Sequence, residues 1–285
     1  MSLSNKDDIQ VSVCVVTYNQ ENYIAECLES LVTQQTSFKF EIIVGEDCST
    51  DGTRAIVQQY VEQYPDLIVP LFYEENVGAV ENVKRVYKAA KGKYIAHLDG
   101  DDMALPNKLQ RQYEKMEQGF AICSHNVCSF DKDGGLNKEF WRFDEGEYDW
   151  KFYIQNMPFF AHSSKMFVKE HLIEFINRME KNTYDFELHL ESLKFGSIYH
   201  IGENLGVYRL NVGLMVSDKE ILIKMIDTKI RVYEKSLNYF NDFMFVKKNY
   251  ILALLRIIKL CFIQRKYSKI NEILIKLISI VVRLR

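Results

Sequence analysis

Short apolar segments alternate with amphipathic helical segments through the first 115 residues of the chain. The strand-like segments cover residues 11–16, 40–44, 68–73 and 94–98, and each is followed by a polar loop and by apolar residues at helical spacing. This alternation predicts an α/β fold with a mostly parallel central sheet, right-handed crossovers and helices on both faces. The polar loops then share one edge of the sheet, where ligands bind in such folds.

The fourth strand-like segment ends in an acidic turn, Asp99-Gly100-Asp101-Asp102. Three adjacent carboxylates repel one another unless solvent or a cation offsets their charge, and hard oxygen ligands suit Mn²⁺ or Mg²⁺. Gly100 allows the backbone to approach a ligand closely. The alternative is a solvated turn before a helix, but the convergence of four polar loops on one edge favours a ligand site.

Charge is distributed unevenly along the chain. The formal net charge is −3, yet residues 246–285 contain ten Lys or Arg residues and one acid, which makes that segment +9 and the preceding residues −12. An acidic body argues against general nucleic-acid binding, whereas a basic and apolar tail suits an anionic membrane surface. A packed helical hairpin with a solvated basic face explains the same pattern, and the sequence leaves the two open. An uncharged apolar run of 18 residues is absent from the sequence, so a spanning helix is not expected.

The cysteines and the N-terminus bear on the compartment. The six cysteines form no Cys-x-x-Cys pair and lie in apparent core segments, which is typical of reduced thiols. Residues 1–10 are polar and lack the apolar stretch of a signal peptide. We therefore expect a cytoplasmic location. If the basic tail binds membrane, the protein would attach peripherally to the inner face of the cytoplasmic membrane.

Four motifs follow in a fixed order: Val-Val-Thr-Tyr-Asn at 15–19, Glu-Asp-Cys-Ser-Thr-Asp-Gly-Thr at 46–53, Asn-Val-Gly at 76–78 and the acidic turn at 99–102. This series resembles family 2 of the inverting nucleotide-sugar glycosyltransferases, a large bacterial group that builds surface polysaccharides. The resemblance implies a Rossmann-like nucleotide-diphospho-sugar transferase fold. It also implies a catalytic domain over residues 1–217, with a nucleotide-binding half at 1–115 and an acceptor-binding half at 116–217, followed by a basic amphipathic helical region at 218–285.

The resemblance assigns roles to the polar residues of these motifs. Asp47 would hydrogen-bond the base of a uridine or thymidine nucleotide, because a carboxylate can accept an N–H. Its neighbour Glu46 makes an acidic pair at a strand end, where binding chemistry explains it better than packing does. Asp99 would contact the ribose, and Asp101 would bind the metal that bridges the diphosphate. Thr17 and Asn19, which follow the first strand-like segment, would line the same nucleotide site.

A second stretch, around Asp185, contains the candidate general base. Asp185 stands at the family's late acidic motif, so the resemblance implies that it is the general base, although an N-terminal cap of the next helix is an equal alternative. His162 precedes an apolar segment and is an acceptor-side candidate. Trp141 lies in an aromatic-rich region that faces the acceptor in the resembled family, and aromatic rings suit the apolar faces of sugars. Asn211 stands where relatives often carry a histidine, which puts a histidine metal ligand there in doubt.

The implied function is a metal-dependent inverting glycosyltransferase. It would move a sugar from a UDP- or dTDP-sugar to a hydroxyl of a saccharide or lipid-linked acceptor, in cell-surface polysaccharide synthesis. A sugar-nucleotide nucleotidyltransferase is an alternative, but it needs a Gly-rich basic phosphate loop that residues 17–22 lack. A non-catalytic nucleotide-sugar-binding component of an assembly complex is the other alternative, and such a protein has no use for a base at Asp185.

Overall fold

The computed structural model describes residues 8–130, 135–137, 140–179, 185–210, 221–263 and 267–282. The strands in this part of the chain are β1 (Ile9–Thr17), β2 (Lys39–Glu46), β3 (Ile68–Phe72), β4 (Tyr94–Asp99), β5 (Met103–Ala104), β6 (Ile122–Phe130), β7 (Leu136–Asn137), β8 (Gly146–Tyr148), β9 (Met166–Val168) and β10 (Ile198–Tyr208). The helices are α1 (Ile24–Val32), α2 (Thr53–Gln63), α3 (Ala79–Ala89), α4 (Lys108–Met116), α5 (Trp150–Asn156), α6 (Ile173–Arg178), α7 (Asp185–Ser192), α8 (Ile221–Tyr239), α9 (Phe243–Ile263) and α10 (Tyr267–Val282).

All ten of these strands belong to one mixed sheet in the order β3-β2-β1-β4-β9-β6-β10-β5, with β7 on β6 and β8 on β10. Strands β3, β2, β1 and β4 are parallel, as the alternating pattern predicts. The short strand β9 is antiparallel to both of its neighbours, β4 and β6. It joins the four-stranded parallel part of the sheet to the second parallel pair, β6 and β10.

The two faces of the sheet carry separate apolar layers. Along β1, Val13 and Val15 pack towards α1 and α2, whereas Cys14 packs with residues of α3 on the other face. This alternation follows from the two-residue period of a strand. Complete burial of a valine side chain stabilises the fold by about 1.5–3 kcal/mol, so these central strands hold the loops at their ends firmly.

The second half contains a long strand with polar residues in its interior. Strand β6 runs without interruption from Ile122 to Phe130, and His125 is buried within it. Two polar side chains of this strand bond to residues of β10. Ser124 Oγ lies 2.8 Å from His200 Nδ1, and Asn126 Nδ2 donates to the carbonyl of Gly202 at 2.8 Å.

The C-terminal helices form a packed unit against the body. Buried residues of α8, α9 and α10 share one apolar cluster with Ile154 of α5. Trp150 stacks on Phe240 with ring centroids 4.1 Å apart. The outer faces of α9 and α10 nevertheless leave large apolar side chains in solvent, with Phe262 at 65%, Ile275 at 68% and Ile278 at 61% exposure. Within the described ranges, none of the helices has the length and apolarity needed to cross a bilayer.

Candidate active site

The parallel ladders align the carboxyl ends of three strands. Val16 of β1 pairs with Asp99 on one side and Gly45 on the other, and Thr17 pairs with Glu46. The acidic turn then folds back onto β1, because the Gly100 amide donates to the Val16 carbonyl at 2.9 Å. The predicted loops therefore do meet at one edge of the sheet.

Gly100 is required by the closeness of that approach. A Cβ at this position would lie 2.5 Å from Gln20 Oε1 and 2.9 Å from Thr17 Cβ. Thr17 is buried, and its hydroxyl donates to Gln20 Oε1 at 2.8 Å. The side chains of Thr17 and Gln20 thus pack directly against the turn at Gly100.

Asn19 links the first loop to the second. Its Oδ1 accepts from the Thr50 backbone amide at 2.8 Å, and its backbone amide donates to Ser49 Oγ at 3.0 Å. The residue has a φ of 51°, a left-handed conformation that asparagine adopts more readily than most residues. Asn19 therefore sets the relative position of two loops at the candidate nucleotide site.

Glu46 is buried and already paired. Its Oε1 accepts from the Ser49 amide at 2.6 Å, and its Oε2 lies 2.5 Å from Arg54 Nε. The Arg54 guanidinium also donates to the carbonyl of Tyr73. Glu46 thus holds the 46–54 loop in shape, and in this structure its side chain is not exposed to solvent.

Asp47 is engaged by the backbone of the third loop. Its two carboxylate oxygens accept from the amides of Val77 at 2.7 Å and Gly78 at 2.9 Å. Burial raises the pKa of Asp47, and these two hydrogen bonds oppose that rise. Each oxygen keeps a second lone pair, so a further contact to a nucleotide base is chemically available.

The acidic turn contains carboxylates with different electrostatic environments. Burial disfavours the charge of Asp99, but a hydrogen bond with His97 at 3.1 Å and nearby positive charge outweigh it and hold the pKa of Asp99 below its usual range. Burial and repulsion by Asp99 raise the pKa of Asp101 to about 6. Burial and the charges of Asp99 and Asp101 raise the pKa of Asp102 well above its usual value. Together, these acids form a crowded anionic site.

The donor set of this turn fits a hard divalent cation. Asp101 is partly exposed, and the repulsion that raises its pKa would be relieved by a bound positive charge. In the part of the chain that the structure describes, two other groups have ligand atoms within 4.8 Å of one another. They are His97 with Asp99 and His162, and His162 with Asp185 and His189. The buried ammonium of Lys165 contacts His162, however, so a positive charge already lies beside these histidines.

A single-turn 3-10 helix at His162–Ser164 connects the acidic turn to Asp185. Ser163 Oγ donates to Asp99 Oδ2 at 3.1 Å and accepts from the Asp99 amide at 3.1 Å. On the same short segment, His162 Nδ1 lies 3.3 Å from Asp185 Oδ2. Lys108, also buried, donates to the Ser163 carbonyl at 2.5 Å. The segment therefore joins the two halves of the predicted site.

Asp185 opens α7 and faces this segment. Its Oδ1 accepts from the Phe186 amide at 3.0 Å, so the residue does bond the first turn of the helix. Burial disfavours its charge, but His162 and the charges of His189 and Lys165 outweigh burial and hold the pKa of Asp185 below its usual range. A helix-terminal hydrogen bond and an ionised carboxylate available as a base are therefore compatible.

A cavity of about 320 Å³ brings several predicted residues together. Its polar lining includes Asp99, His162 and Asp185, and Trp141 and Tyr208 contribute aromatic rings. The Trp141 indole N–H donates to the carbonyl of Phe159 at 3.2 Å, which fixes the ring at the wall. Five predicted residues are not part of this lining, namely Thr17, Asn19, Glu46, Asp47 and Asp101.

Sequence reasoning missed several residues whose side chains contact the candidate site residues. Ser163, Lys165 and His97 contact the candidate acids or His162, and none of them was singled out. A signal did exist at one of them. Lys165 is a lysine directly before the apolar strand β9, and a buried lysine in such a position is uncommon unless it is paired.

Comparison with known proteins places this architecture in a family. The family model described as "Glycosyl transferase family 2" matches residues 12–176, more than half of the chain. The putative teichuronic acid biosynthesis glycosyltransferase TuaG of Bacillus subtilis is 42% identical over 125 residues, which are 44% of this chain and 49% of TuaG. An uncharacterised Mycobacterium tuberculosis protein is 37% identical over 141 residues, 47% of this chain and 41% of that protein. The chain thus spans about half the length of these relatives or less.

A solved structure shares the fold. Residues 1–349 of TarS from S. aureus, crystallised in complex with UDP-GlcNAc, superimpose with a TM-score of 0.68 over 86% of this chain and 72% of that chain, at 19% sequence identity. At such low identity this likeness concerns the fold. The family model match carries the assignment, and this chain belongs to glycosyl transferase family 2.

Proposed function

We propose that this protein is a metal-dependent inverting glycosyltransferase. It moves a sugar from a UDP- or dTDP-sugar to a hydroxyl of a saccharide or lipid-linked acceptor in cell-surface polysaccharide synthesis. The observation that carries this proposal is that Asp99, at the donor end of the sheet, and Asp185 line one cavity. The 162–164 segment contacts both carboxylates.

Asp185 acts as the general base in this proposal. Its carboxylate accepts the proton of the acceptor hydroxyl while the hydroxyl oxygen forms a bond to the anomeric carbon. The nucleoside diphosphate leaves from the opposite side with the bonding electron pair, so a single displacement inverts the configuration. The low pKa of Asp185 keeps it ionised at neutral pH, and a positioned base of this kind contributes about 10²–10⁴-fold in rate.

The donor is held by the loops at the strand ends. Asp47 hydrogen-bonds the base, Asp99 contacts the ribose, and Thr17, Asn19 and Glu46 maintain the loops around the nucleotide. Asp101 would hold Mn²⁺ or Mg²⁺, which when bound supplies Lewis-acid stabilisation of the departing diphosphate. TarS structures contain UDP and UDP-GlcNAc, which supports a uridine nucleotide as the first donor to test.

The acceptor side is assigned to the cavity wall. Trp141 presents an aromatic ring in the same cavity as Asp185, and such a ring suits the apolar face of a sugar. His162 lies between the two carboxylates and contacts the cavity. The catalytic domain of this proposal ends at residue 217, and the helical region 218–285 follows it.

We also propose that the protein is cytoplasmic and associates with anionic membrane through residues 246–285. The segment carries +9 charge, and α9 contains no acidic residue. Exposed apolar side chains lie on the outer faces of the same helices, near basic residues such as Lys248 and Lys259. Apolar area combined with basic charge is the composition that binds anionic lipid surfaces.

The test is a screen of the purified protein against nucleotide sugars, with and without Mn²⁺ or Mg²⁺. We expect transfer from one UDP- or dTDP-sugar, with the anomeric configuration of the product opposite to that of the donor by NMR. A product of retained configuration would contradict the single displacement. Donor binding without transfer to any of a panel of saccharide and lipid-linked acceptors would favour a nucleotide-sugar-binding component.

A further inference from the structure

The first helix of the C-terminal region reaches the cavity that contains Asp185. Met225 of α8 lines this cavity together with Asp185. Further along the same helix, Val232 is fully buried in a cluster with Phe186 and Leu190 of α7. Helix α8 follows the proposed catalytic domain in the chain, yet it contributes to the wall of the proposed site.

Helix α7, which carries Asp185, is too short to be stable by itself. It contains eight residues, and isolated helices shorter than about 12–15 residues are marginal in water. Its position therefore depends on the surfaces against which it packs. Leu188 packs in the apolar cluster on one face of the sheet, whereas Phe186 and Leu190 pack with α8. Two different parts of the chain thus hold the helix that begins with Asp185.

A buried carboxylate joins α7 to α8. The side chain of Glu187 on α7 is buried, with 5% exposure. Its Oε1 accepts from Arg231 Nε at 3.0 Å, and its Oε2 accepts from Lys235 Nζ at 2.5 Å. Arg231 and Lys235 lie four residues apart on α8, so they are neighbours on one face of that helix. Because a buried carboxylate is costly without partners, these two contacts favour one placement of α7 on α8.

The face of α7 that contacts α8 lies opposite the face that carries the candidate base. Glu191 is also buried and accepts from Tyr239 Oη of α8 at 2.7 Å. Glu187 and Glu191 are four residues apart and share one face of α7. Asp185 is two residues from Glu187, which corresponds to about 200° around a helix, and its carboxylate lies beside His162. A shift of α7 on α8 would therefore move Asp185 in the cavity.

We propose that Arg231 and Lys235 are positioning residues for Asp185. They hold Glu187, and with it the first turn of α7, in the orientation that directs the Asp185 carboxylate to the cavity. They act through Glu187 rather than by contact with the substrate. This role rests on the proposed function of Asp185 as the general base. The family match ends at residue 176, before α7 and α8, and so assigns no role to this contact.

Hydrogen exchange tests this contact without any substrate. Glu187→Gln keeps the size of the side chain but removes its charge and one of its two acceptor oxygens. The Phe186 amide donates to Asp185 Oδ1 and therefore reports on the start of α7. We expect this amide, followed by NMR, to exchange about tenfold faster in Glu187→Gln, because charge-assisted hydrogen bonds are lost. An unchanged exchange rate would overturn the proposal.

Glu234→Gln is the matched control on the same helix. Glu234 Oε1 accepts from Tyr250 Oη of α9 at 3.0 Å and from Lys276 Nζ of α10 at 2.7 Å. This variant also weakens two hydrogen bonds of α8, but they are made to α9 and α10 instead of α7. The Phe186 amide should exchange at the wild-type rate in Glu234→Gln. Equal acceleration in both variants would show a general loosening of α8 and would overturn the proposal.

Kinetics test whether the position of α7 matters for transfer. We expect Glu187→Gln to lower kcat by at least about tenfold, since a misplacement of about 1 Å costs up to about 10²-fold in rate. The donor KM should not change, because the proposed nucleotide contacts lie on other loops. Glu234→Gln should keep the wild-type kcat per folded molecule. If Glu187→Gln melts at a lower temperature but keeps kcat per folded molecule, the contact is only structural and the proposal falls.

A double variant tests whether the cation acts through Glu187. We expect Lys235→Met to lower kcat, and the double variant with Glu187→Gln to be no slower than the slower single variant. Independent effects would instead multiply, and that result would refute positioning through Glu187. A wild type that shows the expected exchange pattern but transfers no sugar would refute the proposed function, while the connection from Glu187 to the start of α7 would stand.

Discussion

Nδ1 of His162 lies 3.3 Å from Oδ2 of Asp185, although the two residues belong to different elements of the fold. Ser163, the next residue along, hydrogen-bonds Asp99. One short segment therefore contacts a carboxylate at the carboxyl end of β4 and another at the start of α7. This connection supports separate tests of donor binding and of proton transfer.

Replacing Asp185 by asparagine should remove the base and keep the helix start. Asparagine keeps an oxygen that can accept from the Phe186 amide, and it caps helices about as well as aspartate. Transfer should fall by about 10²–10⁴-fold while donor affinity remains, because the proposed nucleotide contacts lie on other loops. Single-turnover kinetics and calorimetry with UDP measure the two quantities. Full transfer activity per folded molecule would assign the base to another residue, with His162 the first candidate.

Replacing Asp101 by asparagine should abolish stimulation by Mn²⁺ or Mg²⁺. The variant loses the partly exposed carboxylate of the acidic turn but keeps its size, and relief of repulsion between Asp101 and Asp99 should leave the fold intact. Manganese binding, measured by the paramagnetic relaxation of water protons, should weaken in the variant. Activity of the wild type that survives EDTA would argue against a metal at this turn.

The role of Asp47 requires a ligand-based test, since Asp47→Ala would also release the amides of Val77 and Gly78. If the carboxylate accepts the N–H of uracil, the wild type should bind UDP more tightly than its N3-methyl analogue. A hydrogen bond to a charged group contributes about 1.5–3 kcal/mol, or roughly 10–150-fold in affinity. Asp47→Ala should remove this discrimination.

Asn76→Ala is the control for the loop, because Asn76 donates to the Asp47 carbonyl rather than contacting its side chain. We expect Asn76→Ala to retain the preference for UDP over the methylated analogue. Equal binding of both nucleotides by the wild type would show that Asp47 does not read the base.

Membrane association should depend on exposed apolar side chains of the last two helices. Removal of residues 246–285 would uncover the cluster that α9 and α10 share with α8, so substitutions are the cleaner test. Changing Phe262, Ile275 and Ile278 to serine keeps every charge and should reduce co-sedimentation with anionic vesicles at low salt.

A matched variant changes exposed apolar residues elsewhere, Leu136 and Ile173, which are 44% and 46% exposed. It should bind vesicles as the wild type does. Absence of vesicle binding by the wild type would favour a packed hairpin whose basic face is simply solvated.

Much of the fold of residues 8–115 was predictable because this region is built from local units. Each strand in 11–98 is followed by its own loop and helix, and the carboxyl ends of parallel strands share an edge by geometry alone. The positions of Thr17, Asp47 and Asp99 at one edge follow from that rule. The rule does not predict which groups these side chains hydrogen-bond. Glu46 and Asp47 are adjacent acids in sequence, and only the tertiary structure separates a carboxylate paired with Arg54 from one bonded to the 77–78 turn.

The arrangement around Asp185 depended on contacts between distant segments. The sequence by itself determined the α/β architecture, the shared edge of polar loops, and Asp185 at the start of a helix. Only the tertiary structure decided that β9 inserts antiparallel between β4 and β6, which brings His162, Ser163 and Lys165 against Asp99 and Asp185. The physical reason is that strand periodicity specifies which face a residue occupies, whereas the pairing of a three-residue strand is selected by the surrounding core. No local pattern encodes that choice.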